Sequence, residues 1–164
     1  TKVPDVNLPF IRNKSRDLLR SQEGLHAAYV DYLGLMQAEQ DRDSRRTELE
    51  VISRGFKNTA MELGIPFIVG AQMNRAIEGR GKENRDPQMS DLRETGAQEQ
   101  DTDVILFVYP EDDESEKTQR VIKVEKHRSG PTGKFYLGWT PERTLLKNHA
   151  DESGKAHVQK WGAS

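Results

Sequence analysis

Several stretches of this chain place reactive side chains where backbone geometry would hold them. Asp31 closes the apolar run Ala27-Ala28-Tyr29-Val30. A carboxylate at a strand end is held firmly and faces the edge where α/β sheets collect ligands. Gln72 closes a second run, Phe67-Ile68-Val69-Gly70-Ala71, and its carboxamide offers both a donor and an acceptor. Lys126 and Arg128 flank His127 at the end of a third extended stretch. Residues two apart on a strand point to one side, and the guanidinium fork matches phosphate with paired hydrogen bonds. A further stretch is the ordered polar string Ser90-Asp91-Leu92-Arg93-Glu94-Thr95-Gly96, continued by Gln98-Glu99-Gln100-Asp101 and then by Val104-Ile105-Leu106-Phe107-Val108-Tyr109. Arg93 can meet a phosphate, as can backbone N–H groups near Gly96. Glu94 repels phosphate and is suited to pairing with a basic residue. Taken locally, each place also has an ordinary reading: a strand-ending acid, a polar strand terminus, a solvated edge strand, a solvated loop.

The elements that must position these groups follow from pattern. Residues 9–23 read as a helix, started by Pro9 and stopped by Gly24, with Phe10, Ile11, Leu18 and Leu19 among basic residues. Residues 25–33 read as a strand around Asp31, and 37–46 as a polar surface loop. A long helix follows, capped by Asp43 or Ser44. Leu49, Ile52, Phe56, Ala60 and Leu63 recur at three and four residues and so share one face. Gly55 weakens that helix by roughly 1 kcal/mol relative to Ala, and Gly64 and Pro66 end it. Residues 67–71 form a short strand. Residues 73–87, with Arg75, Arg80, Lys82 and Arg85, have too little apolar content to pack and read as a mobile, solvated loop. Gln98 to Asp101 give a short polar helix, and 104–109 a strand buried in a parallel sheet. After an acidic connector over 110–119, strands 120–127 and 134–139 form a hairpin around Ser129-Gly130-Pro131-Thr132-Gly133. The order predicts an α/β fold, a mostly parallel sheet flanked by helices with a C-terminal antiparallel hairpin. It occupies a domain over 1–149, followed by a flexible polar tail over 150–164.

Composition narrows the chemistry. With 164 residues the chain can bury a core of its own. It has no Cys, which excludes disulfides, thiolate metal sites and a Cys nucleophile. The four His have no metal-ligand spacing, and no Gly-x-Ser-x-Gly string supports a serine hydrolase. No apolar run is long enough to span a membrane and no secretory signal opens the chain. A net charge of −2 gives no broadly basic surface for nucleic acid. Charged residues make up 32%, so many helix faces must be wet.

The polar string ending in Gly96, with Glu99-Gln100-Asp101 and the apolar strand behind it, resembles the DNA-binding loop region of DnaB-type replicative DNA helicases. Asp31-Tyr32-Leu33-Gly34-Leu35-Met36 and Lys126-x-Arg128-x-Gly130-Pro131 are similar to further strings of the C-terminal RecA-like motor domain of that family. The resemblance covers about Phe10 to Lys147. It implies a RecA-like P-loop ATPase core and, for the full protein, a homo-hexamer that uses ATP and Mg²⁺ to move on single-stranded DNA and unwind duplex. A ring can bind DNA without a basic surface by collecting a few contacts from each subunit. The resemblance makes Asp31 the Walker B aspartate, holding Mg²⁺ through water, and Gln72 the sensor of the γ-phosphate. It makes Lys126 and Arg128 the lysine and arginine finger offered to the nucleotide of the neighbouring subunit. It sets Arg93, Glu94 and Gly96 beside single-stranded DNA. Primase and a helicase loader are the implied partners, in the cytoplasm of a bacterial or phage-infected cell and associated with the nucleoid. The chain departs from the family pattern at Ala71, where a hydroxyl residue is frequent, and at His127, where Gln is more usual.

The phosphate loop, Gly-x-x-x-x-Gly-Lys-Ser/Thr, does not occur in the 164 residues. The resemblance therefore implies the second half of a motor domain, inactive by itself: a fragment, a split gene product or a degraded phage or plasmid relative. Two other readings stand beside it. One is a non-catalytic module that binds DNA or a helicase subunit. The other is a RecA-fold ATPase of recombination or circadian type, against which the ordered strings argue.

Overall fold

The structure, a computed structural model, describes residues 6–21, 24–36, 45–74, 77, 80, 86–92, 96–110 and 118–148. The chain divides into two compact units, Thr1–Asn74 with Ser90–Thr102, and Arg75–Met89 with Asp103–Ser164.

The first unit opens with α1, Leu8–Arg20. Asn7 caps it, its side-chain oxygen accepting from the Phe10 amide at 3.0 Å, and Pro9 occupies the first turn, where a missing N–H costs nothing. The helix stops at Arg20, short of Gly24, because the Ser21 hydroxyl and amide both bind the Leu18 carbonyl. Leu8 and Ile11 face the core, whereas Phe10, Leu18 and Leu19 are exposed. Next comes β1, Ala28–Val30, shorter than the strand expected over 25–33, and then a 3-10 turn over Leu33–Leu35. The expected loop over 37–46 and the caps Asp43 and Ser44 fall mostly outside the described residues. α2 spans Arg45–Leu63, and β2 spans Phe67–Val69. On α2, Leu49, Ile52 and Phe56 are buried as the spacing predicts, and Thr59 follows them at 3% exposure while Ala60 and Leu63 stay half-buried. Thr59 is accommodated because its hydroxyl donates to the Gly55 carbonyl at 2.8 Å. Leu33, Met36, Leu49, Ile52 and Phe56 make one core cluster, with Val30, Phe67 and Val69 against it. β1 and β2 pair in parallel, Ala28 opposite Phe67 and Val30 opposite Val69. α3, Gly96–Asp101, is the short polar helix expected there, begun two residues earlier, at Gly96.

The second unit is an antiparallel sheet in the order β3-β4-β5-β6. The strands are β3 Val104–Tyr109, β4 Gln119–His127, β5 Gly133–Thr140 and β6 Leu145–Asn148. The parallel sheet, the helices and the C-terminal antiparallel sheet are thus all present, but the antiparallel part is larger than a hairpin. β3 is not the buried parallel strand expected from its apolar content. It runs antiparallel to β4 at the sheet edge and buries Ile105, Phe107 and Tyr109, while Val104, Leu106 and Val108 are exposed. β6 was not foreseen: Leu145 to Asn148 carries no alternation and all of it is exposed. Among the described residues no helix is long and apolar enough to cross a membrane. The tail over 150–164 lies outside the described residues.

Candidate nucleotide and DNA site

The parallel pair sets Asp31 and Gln72 at one end of the first unit. Asp31 directly follows the last residue of β1, and Gln72 lies three residues beyond β2. Past the last paired residues the ladder continues through main-chain bonds, Gly70 N to Val30 O and Leu33 N to Gly70 O, both 2.9 Å. The two segments therefore leave the sheet side by side, and both side chains are exposed. Leu33 and Met36, at 6% and 3% exposure, anchor the chain just after Asp31 in the core. Arg45 adds a clamp that spacing did not suggest: its guanidinium donates to Gly34 O and Met36 O, each at 2.8 Å, and pairs with Glu48. An exposed carboxylate fixed in this way can act on a ligand at the strand ends.

The polar stretch expected to meet DNA is described at its flanks. Arg93 and Glu94 lie outside the described residues, and Gly96 begins α3. Before them, Leu92 bridges Met73 and the Asn74 amide donates to Asp91 O at 2.7 Å. Asp91, read only as part of a polar string, is 2% exposed and roots the stretch. After them, Asp101 of α3 stands 3.6 Å from Arg54 of α2.

The second unit carries Lys126 and Arg128. A bulge between Ile105 and Leu106 shifts the β3–β4 register by one residue, so Lys126 lies opposite Ile105 and His127 opposite Val104. Arg128 continues the ladder, its amide donating to Asp103 O at 2.8 Å. Lys126 and His127 are the last residues of β4, and Arg128 is the first residue of the turn that follows. The His127 ring lies against Gly130, where any Cβ would collide with it, and Nδ1 is 3.3 Å from Pro131 O. The Arg128 guanidinium meets Asp103 Oδ1 at 3.1 Å, with both side chains about half exposed.

The same unit holds an ionic cluster missed by sequence reasoning, although Asp-Pro is a turn signal. Tyr109 Oη and Lys134 Nζ donate to Asp86 Oδ1 at 2.5 and 2.6 Å, and Lys123 Nζ donates to Pro87 O at 2.6 Å. Lys123 also pairs with Glu125 at 2.7 Å. Burial pushes the Asp86 carboxyl up, but the hydrogen bonds from Lys134 and Tyr109 and the nearby lysine charges outweigh it and hold the group below its ordinary value. Pro87 is fully buried. The end of the stretch expected to be a loose loop is therefore tied to the sheet; residues 75–76, 78–79 and 81–85, including Arg75, Lys82 and Arg85, lie outside the described residues.

Parallel strands with helices in one unit and an antiparallel sheet in the other fit the RecA-like fold class. The chain belongs to the DnaB-like helicase C-terminal domain family, which matches residues 1–148. It is 37% identical over 146 residues to the replicative DNA helicase DnaB of Haemophilus influenzae, covering 87% of this chain and 31% of that protein. It is 36% identical over 151 residues to the replicative DNA helicase DnaC of Bacillus subtilis, covering 89% and 33%. The chain thus spans about a third of the length of these relatives. Its structure superposes on a solved ATPase domain with TM-score 0.80 and 34% identity, covering 87% of this chain and 51% of that one. It also superposes, with TM-score 0.79 and 33% identity, on a DnaB-like replicative helicase solved with regard to its interactions with primase, covering 87% and 36%.

Proposed function

We propose that this chain is the C-terminal half of the motor of a hexameric replicative DNA helicase, driven by ATP and Mg²⁺, moving on single-stranded DNA and working with primase and a loader. The observation that carries this reading is the exit of Asp31 and Gln72 side by side from β1 and β2, in a chain that matches the family along 1–148. Asp31 offers a hard oxygen ligand suited to magnesium. Among the described residues no three His, Cys, Asp or Glu side chains are clustered to hold a metal alone. This fits a cation that arrives with nucleotide phosphates and meets the protein through one carboxylate. Bound Mg–ATP would supply the transferable phosphoryl group and the neutralising charge. For its part, the chain orients that ligand with Asp31, reads the terminal phosphate with Gln72 through a donor or an acceptor, and presents Lys126 and Arg128 to the nucleotide of the next subunit. Arg93 and Gly96 hold the DNA backbone, and Glu94 pairs with a basic group.

Without a phosphate loop in its 164 residues, the chain by itself should turn over no ATP. The test is ATP hydrolysis by the purified chain at high concentration, with and without single-stranded DNA. Turnover that follows the protein through purification and vanishes in Asp31→Ala would show a complete enzyme. A second reading is a non-catalytic DNA- or helicase-binding module. The two separate when a polypeptide carrying the phosphate-loop half is added: the motor reading expects DNA-stimulated turnover, the module reading none.

A further inference from the structure

Asp103 has no role in the site as read from sequence, yet it holds Arg128 twice, once through its carbonyl and once through its carboxylate. The main-chain bond is the next step of the β3–β4 ladder beyond Val104 and His127, so it fixes the pivot from which the guanidinium extends. The side-chain bond, at 3.1 Å, is of a different kind, because the partners are 54% and 51% exposed. Ion pairs this wet contribute little to stability. A buried pair would resist separation, but this one can open at small cost. A polyphosphate carries more charge than one carboxylate and offers the same fork of oxygens. It can therefore take the guanidinium while the main-chain bond stays in place.

We propose that Asp103 is a positioning residue for Arg128: it keeps the guanidinium oriented at the end of β4 and yields it to phosphate oxygens when a nucleotide arrives. The proposal rests on the reading of Arg128 as a phosphate ligand. It distinguishes a finger that waits in a set direction from one that samples solvent.

The test is titration of the full chain with inorganic tripolyphosphate, followed by NMR of the arginine Nε–H signals. Removing the carboxylate in Asp103→Asn removes the competitor and should tighten binding roughly two- to fivefold, the range spanned by an exposed ion pair. Asp103→Ser should do the same, so the test survives if one variant folds poorly. Glu142→Gln, which removes an equal charge elsewhere in the unit, should leave the affinity unchanged. Arg128→Ala should weaken it at least threefold. Equal binding by wild type and both Asp103 variants, with Arg128→Ala weakened, overturns the role of Asp103 alone. Equal tightening by Glu142→Gln overturns it too, since net charge would then account for the effect. Unchanged binding by Arg128→Ala overturns the phosphate reading of Arg128, and the role of Asp103 with it.

Discussion

The amide of Gly70 donates to the carbonyl of Val30 at 2.9 Å, one step past the last paired residues of β1 and β2. That bond brings the segment carrying Gln72 alongside Asp31. If both act on one bound nucleotide, their losses are not additive, because each depends on the geometry set by the other. In the motor completed with a phosphate-loop half, Asp31→Ala should lower turnover by about 10²-fold or more, the scale of removing one electrostatic partner of a developing charge. Adding Gln72→Ala should then cost little more. Steady-state ATPase of the two single variants and the double variant decides this; multiplicative losses would place the residues in separate steps.

Gly55 illustrates a close approach that sequence alone misprices. A Cβ at Gly55 would fall on Leu8 Cδ2, where α1 meets α2. Gly55→Ala should therefore gain less than the roughly 1 kcal/mol expected from helix propensity. The full gain should return in a Leu8→Ala background. Denaturant melts of the four chains measure this coupling, and an equal gain in both backgrounds would mean that the contact carries no energy.

The Asp86 cluster gives a pH signature. The folded carboxyl titrates below its ordinary value, so its contribution is present above the unfolded pKa of about 4 and is lost as pH falls through the lower folded value. Asp86→Asn lacks that group. Wild type should lose more stability than Asp86→Asn as pH drops below about 4, and the two profiles should run parallel above about 6. Parallel profiles at low pH would remove Asp86 from the ion pairs with Lys123 and Lys134.

Much of the fold was legible because its signals are local. Pro9 announces α1, and the spacing of Leu49, Ile52 and Phe56 announces the buried face of α2. Asp31 and Gln72 were legible as strand-end residues because short apolar runs precede them. What was not legible depends on long-range partners. The uniform apolar run of β3 could not show that only Ile105, Phe107 and Tyr109 would be covered, since that depends on its pairing with β4 at the sheet edge. β6 has no alternation and exists through its pairing with β5. Asp86, Asp91 and Asp103 look like ordinary surface acids. Asp86 meets Lys134 48 residues away, Asp91 is buried with its main-chain carbonyl on the Asn74 amide, and Asp103 meets Arg128.

The DNA assignment has a salt signature. If Arg93 meets a phosphate, Arg93→Ala in the completed motor should weaken binding of all single-stranded sequences about equally. It should also reduce the slope of log affinity against log salt by about one contact's share. Fluorescence anisotropy at several salt concentrations reads both quantities. An unchanged slope would remove Arg93 from the DNA contact.

On the proposed function, Asp31 and Arg128 serve different nucleotides, one bound by the same subunit and one by its neighbour. In phosphoryl transfer an arginine supplied across a boundary contributes roughly 10³- to 10⁵-fold, so either single variant should be almost inactive. The most direct measurement is the ATPase of assemblies mixed from Asp31→Ala and Arg128→Ala subunits. At some boundaries an intact Asp31 then faces an intact Arg128, and turnover should rise well above either parent, greatest near equal proportions. Mixed assemblies no more active than the parents at any ratio would contradict it, because both residues would then be needed from one subunit.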